Sequence, residues 1–111
     1  MPVPKEYQGL FSRWCADRVP GHARATLQVG YSIRGDLVTI VRRRPPRFPE
    51  LHSAWSSTPV AQLRHNDPEQ GMWRIYQRVN DRWERYDHPP ATIPEPLLAE
   101  IAGDPGAVFW T

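Results

Sequence analysis

The sequence predicts an α+β fold: an antiparallel five-stranded sheet, made of two hairpins plus a linking strand, with an N-terminal and a short C-terminal helix packed on it. Three observations carry this expectation. Apolar residues recur at helical spacing near both ends of the chain, they alternate with polar residues through its middle, and short turn-forming segments separate the alternating runs. Connections this short join antiparallel neighbours, whereas parallel strands need crossovers. At 111 residues and 40% apolar content the chain can build one compact core rather than two, so residues 1–111 read as a single domain.

From Lys5 to Arg18 the residues Tyr7, Leu10, Phe11, Trp14 and Cys15 fall at steps of three and four, which places them on one stripe of an amphipathic helix. Pro4 suits a first-turn position, and Pro20-Gly21 supplies the stop. Ala25, Leu27, Val29, Tyr31 and Ile33 then alternate with Thr26, Gln28, Gly30 and Ser32, the period of a strand buried on one face. Arg34-Gly35-Asp36 reads as a turn and Leu37 to Arg43 as the returning strand. The same three residues spell the integrin-binding tripeptide, but a hairpin turn accounts for them without adhesion.

Pro45, Pro46 and Pro49 lack ladder donors, so the chain is expected to leave the sheet there and to remain outside it through the polar stretch Ser53 to Pro59. Val60 to His65 reads as the linking strand, followed by a loop over Asn66 to Gly71. Met72 to Val79 and Trp83 to Tyr86 form the last hairpin. The register that gives the most uniform apolar face opposes Val79 to Trp83 across a three-residue loop. It groups Trp73, Ile75, Val79 and Trp83, with Arg78 facing Glu84 and Tyr76 facing Tyr86. Leu97, Leu98 and Ile101 place a second helix over Pro94 to Ala102, ended by Gly103-Asp104-Pro105-Gly106. Val108-Phe109-Trp110 is too apolar for a frayed tail and is expected to return onto the sheet or the first helix.

Arg44-Pro45, Trp55, Pro59-Val60-Ala61, Trp73-Arg74-Ile75-Tyr76, Trp83 with Tyr86, Leu97-Leu98 before Glu100-Ile101, and Asp104-Pro105 with Phe109-Trp110 follow one another in an order that resembles the bacterial family called domain of unknown function thirty twenty-four. The likeness runs from the first hairpin to the end of the chain. It implies a free-standing unit, and it brings neither an activity nor site residues to carry over.

No run approaches the roughly 18 apolar residues of a membrane span. Met1-Pro2-Val3-Pro4-Lys5 also lacks the apolar stretch of a secretion signal, so a cytoplasmic protein with no membrane partner is expected. The single Cys15 excludes an internal disulfide and zinc fingers, and it reads as a small buried hydrophobe. His22, His52, His65 and His88 are too widely spaced for a local metal signature, so neither metal nor cofactor is expected. No glycine-rich phosphate loop or nucleophile elbow is present, which disfavours nucleotide-driven and acyl-transfer enzymes.

The formal net charge is only +2. Its distribution is uneven, because residues 86–111 carry Asp87, Glu95, Glu100 and Asp104 but no lysine or arginine. Upstream, Arg42, Arg43, Arg44, Arg47, Arg74, Arg78 and Arg85, with Tyr76, are the candidate nucleic-acid-binding set, on a basic sheet face that also takes in Arg64 and Arg82 and is interleaved with aromatics that include Tyr86 and Phe48. The competing account has these arginines covering a solvent face and pairing with Glu69, Glu84 or Asp87. Trp55, Trp73, Trp83 and Trp110 read as core. The leading expectation is a non-enzymatic binding or interaction module of unknown partner, whose most concrete version is weak, salt-sensitive association with nucleic acid through the arginine-bearing face. Its alternatives are a small toxin-type ribonuclease using His65 or His88 with Arg74, Arg78 or Arg85, and a protein-docking or homodimerising module.

Overall fold

A computed structural model of the chain describes residues 3–23, 25–46, 48, 54–66 and 69–110. Helix α1 (Glu6–Asp17) is followed by a 3-10 turn over Gly21–Ala23. Five strands then form one antiparallel sheet in sequence order: β1 (Gln28–Arg34), β2 (Leu37–Arg44), β3 (Ser56–His65), β4 (Trp73–Val79) and β5 (Arg82–Arg85). Helix α2 (Glu95–Gly103) comes last. The α+β architecture expected from sequence is the one observed.

Helix α1 buries Phe11 and Cys15, with Tyr7, Leu10 and Trp14 partly buried beside them, as the stripe required. It stops three residues before Pro20, with Arg18 as its C-cap. Strand β1 begins later than the alternation predicted, at Gln28. The N–H groups of Thr26 and Leu27 are already spent on the Ala23 carbonyl, both at 3.0 Å, so this stretch is a turn and cannot join the ladder. Gly35 opens a two-residue loop with φ +60°, a conformation that glycine adopts without steric cost, and Arg34 then opposes Leu37.

Two expectations about the sheet are corrected. First, β3 reaches back to Ser56, so Ser56 to Pro59 lie inside the sheet. Ile40 opposes Ala61 and Val41 opposes Pro59, which leaves Val60 as the extra residue of a β-bulge. A bulge is where a strand tolerates a residue without an N–H. Second, the last hairpin has a two-residue loop: Val79 opposes Arg82, Arg78 opposes Trp83, Gln77 opposes Glu84, and Tyr76 opposes Arg85. Asn80 and Asp81 both take positive φ, 50° and 64°, as a tight primed turn demands. Trp83 does not join the apolar face of Trp73 and Ile75: it lies on the face away from the helices, with the Arg78 guanidinium 5.1 Å from its ring centre.

Both helices cover one face of the sheet. Trp73, wholly buried, is contacted edge-on by Tyr7 at 5.5 Å and Phe11 at 6.1 Å, while Leu97, Leu98 and Ile101 of α2 join the same core. Of the other tryptophans expected in the core, Trp110 is half-buried against it, and Trp55 and Trp83 are partly exposed. Asp104 ends α2 in the left-handed conformation, φ 44°, where a glycine is usual. Its carboxylate turns the residue to use. Oδ1 accepts from the Val108 and Phe109 N–H groups at 2.8 and 3.1 Å, and Oδ2 accepts from Trp110 N–H at 3.1 Å. The terminal segment is thereby seated, with Phe109 buried 4.9 Å from Tyr86 and Trp110 tilted 6.3 Å from Trp14. No helix among the described residues is long and apolar enough to cross a membrane.

Candidate functional site

Side chains on a strand alternate between faces, and cross-strand partners share one. The partnered row Ile33, Val38, Leu63 and Ile75 faces the helices and forms the core. The intervening rows must therefore face the other way. These are Ser32, Thr39, Gln62, Tyr76 and Arg85, then Arg34, Leu37, Arg64 and Arg74, with Gln28, Arg43 and Ser57 further along. No described helix covers this face, and it carries Arg34, Arg43, Arg64, Arg74, Arg78 and Arg85.

The candidate set from sequence is thus divided. Arg43, Arg74, Arg78, Arg85 and Tyr76 share the open face. Arg42 faces the helices, where its Nη1 donates to the Trp110 carbonyl at 3.1 Å, and alternation puts Arg44 on the same side. Arg47 lies outside the described residues. Arg64, expected on the basic face, lies on it, whereas Arg82 opposes Val79 and so shares the helix side; Arg34 belongs to the open face and was not expected there.

The centre of the open face is ordered by side-chain bonds across three strands. Gln62 Nε2 donates to Thr39 Oγ1 at 3.2 Å, and Arg64 Nε donates to Gln62 Oε1 at 2.8 Å. The Arg64 guanidinium in turn lies 3.8 Å from the centre of the Tyr76 ring. Tyr76 is only 8% exposed, so what it offers a ligand is the guanidinium stacked on it rather than its own ring. Tyr86, expected among these aromatics, lies on the helix side instead, and Phe48 is 53% exposed. A groove of about 360 Å³ beside this cluster is lined by Ser32, Arg34, Leu37, Thr39 and Gln62.

Ion pairing neutralises part of the face. Arg74 pairs with Glu69, its Nε 3.0 Å from Oε1. Of the other partners expected from sequence, Glu84 opposes Gln77 and so lies on the helix side, and Asp87 pairs with no arginine among the described residues. Among the described residues no carboxylate pairs with Arg34, Arg43 or Arg85.

His65 and His88 are placed away from this face. His65 stacks on Trp73 at 4.3 Å, and burial lowers its pKa, partly opposed by the Asp36 charge. It therefore stands on the opposite side of the sheet from Arg74. His88 donates from Nδ1 to the Pro89 carbonyl at 2.8 Å and directs Nε2 toward Glu100, 3.8 Å away. The other carboxylate oxygen of Glu100 accepts from the Tyr86 hydroxyl at 2.8 Å. That bond, with burial and the nearby acidic charges, pushes the phenol up to about 12. His52 lies outside the described residues. Among the described residues no three His, Cys, Asp or Glu side chains are grouped as metal ligands would be.

No curated protein and no solved structure matches this chain. A protein-family model does match, over residues 2–111, which is all of the chain but its first residue. With sheet, helices and the Asp104-seated Phe109-Trp110 segment all within that match, the chain belongs to the family described as Domain of unknown function (DUF3024).

Proposed function

We propose that this protein is a non-enzymatic nucleic-acid-binding module that engages phosphate backbones through the helix-free face of its sheet. The observation that carries the reading is the convergence of six guanidiniums, on Arg34, Arg43, Arg64, Arg74, Arg78 and Arg85, from all five strands onto one uncovered face. Guanidinium forks match phosphate oxygens bidentately. Trp83 and the Arg64 plane over Tyr76 supply flat surfaces on which unpaired bases stack. Such contacts read charge and shape rather than sequence, so the expected affinity is modest and strongly salt-dependent. The reading places the protein in the cytoplasm, where such a partner is met.

Fluorescence anisotropy of labelled single-stranded RNA against salt tests this. For single strands log K falls with log salt at a slope of about −0.7 per phosphate contacted, so three to five contacts give a slope of about −2 to −4. Replacing Arg43, Arg78 and Arg85 together by alanine flattens that slope, while Arg44→Ala leaves it unchanged. Equal losses from both faces, or no saturable binding at low salt, would overturn the reading. Gel analysis of the same samples addresses the ribonuclease: cut strands that vanish with His88→Ala in a folded protein would replace binding by cleavage as the function.

A further inference from the structure

On the helix side, between the end of α1, the start of β1 and the seated terminal segment, lies a second cleft of about 310 Å³. We propose that this cleft binds a small organic monocarboxylate with an apolar body. Its volume is at the lower end of the range that small-molecule sites occupy. Two guanidiniums, those of Arg18 and Arg42, line it with Asp17, and its remaining wall is apolar, with Leu27, Val29 and Trp110 prominent.

Both guanidiniums are held in place by backbone carbonyls. Arg18 Nε donates to the Trp14 carbonyl at 3.2 Å, with its guanidinium 4.8 Å from the centre of the Trp14 ring. Arg42 Nη1 donates to the Trp110 carbonyl at 3.1 Å. An arginine has five N–H donors, so each keeps most of its hydrogen-bonding capacity for a ligand. Among the described residues no carboxylate pairs with either one. The cleft thus presents two guanidiniums whose positions are set by backbone carbonyls.

Charge and lining then select the ligand class. Two guanidiniums and the Asp17 carboxylate sum to one positive charge, which favours a monoanion over a sulfate or phosphate dianion. The apolar wall adds affinity only for a ligand with an aliphatic or aromatic body. The Trp110 indole is fixed as part of that wall, because its Nε1–H donates to the Ile101 carbonyl at 2.8 Å. None of this depends on the sheet face or on nucleic acid.

The test is titration of the nitrogen-15-labelled protein with sodium octanoate and sodium phenylbutyrate, with octanol and sodium sulfate as parallel arms at constant ionic strength. Saturable shifts of the Trp110 indole and of the Arg18 and Arg42 Nε–H signals are expected with both carboxylates. Sulfate and octanol should bind at least tenfold more weakly. Arg18→Gln and Arg42→Gln should each weaken octanoate at least tenfold, and Asp17→Asn should tighten it and narrow the gap to sulfate. Because Arg42 also holds Trp110, the Arg42 variant is read only if its circular dichroism is native. Ala102→Phe, which fills the cleft and leaves both guanidiniums in place, should abolish binding and decides the matter otherwise. Absence of saturation, octanol binding as well as octanoate, or unchanged affinity in Arg18→Gln and Ala102→Phe would each overturn the proposal.

Discussion

Cys15 and Tyr86 give the chain two residues whose protonation is tied to the fold. Burial raises the Cys15 thiol to about 11, against the opposing pull of Arg18, and the Glu100 hydrogen bond raises Tyr86 to about 12. In both cases the neutral form is the native one. The Cys15 contribution is therefore whole below its ordinary value of 9.0 and is lost as the pH rises through about 11. That of Tyr86 is whole below 10.0 and is lost as the pH rises through about 12. Stability should consequently fall across the alkaline range from 9 to 12, and Tyr86→Phe should flatten the upper part of that fall in a denaturation series. Cys15 should also resist dithionitrobenzoate at pH 8 until denaturant is added. Fast reaction of the native protein would contradict the burial argument. That Cys15 is a small buried hydrophobe could be read from its place on the apolar stripe. That Tyr86 serves α2 rather than the arginine face could not, because its side depends on the loop length, and the two-residue loop pairs Tyr76 with Arg85 in place of Tyr86.

Individual elements depend on single backbone positions. The β4–β5 turn places Asp81 at φ 64°, a conformation glycine accepts without cost. Asp81→Gly should therefore stabilise the protein by about 0.5 kcal/mol, seen as a raised midpoint with an unchanged denaturant slope. A three-residue loop would give no such gain, so this substitution also tests the register. The terminal segment depends on Asp104 in a comparable way. Asp104→Ala removes the acceptor of three N–H groups and places a Cβ-bearing residue with no compensating bond at φ 44°, and should cost about 2 kcal/mol. Phe109→Ala, which empties a buried site against Tyr86, should cost about 3–5 kcal/mol by urea denaturation. If Asp104→Ala proved as stable as the parent, the carboxylate would have no part in seating the segment. The return of Phe109 and Trp110 was legible from their hydrophobicity. The residue that anchors them was not, since Asp104 sits in a Gly-Asp-Pro-Gly run where an aspartate reads as ordinary turn chemistry.

At the scale of the molecule, the sheet divides two chemistries. One side presents guanidiniums to solvent, and the other encloses a core and a cleft in which Arg18 and Arg42 are positioned by carbonyls. The two should be separable by mutation, because additivity holds for sites that share no partners. Replacing Arg78 and Arg85 by alanine should lower RNA affinity and leave octanoate binding intact, while Arg18→Gln should do the reverse; both are measured by titration on the same protein. Cross-talk in both directions would mean one ligand surface rather than two. The sequence by itself determined the elements, because hydrophobic period, proline and turn chemistry act within a few residues of one another. Its identification of β2 and β4 as arginine-bearing strands follows from the same local rules. Only the tertiary structure decided which arginines act together. The Val60 bulge, the Asn80-Asp81 turn and the side on which the helices dock set the facing of every strand. Alternation alone puts Arg42 and Arg43, adjacent in sequence, on opposite sides of the sheet, and helix docking decided that Arg42 is the one turned inward. Facing is a property of pairing between distant segments, and a one-residue difference in that pairing reverses it.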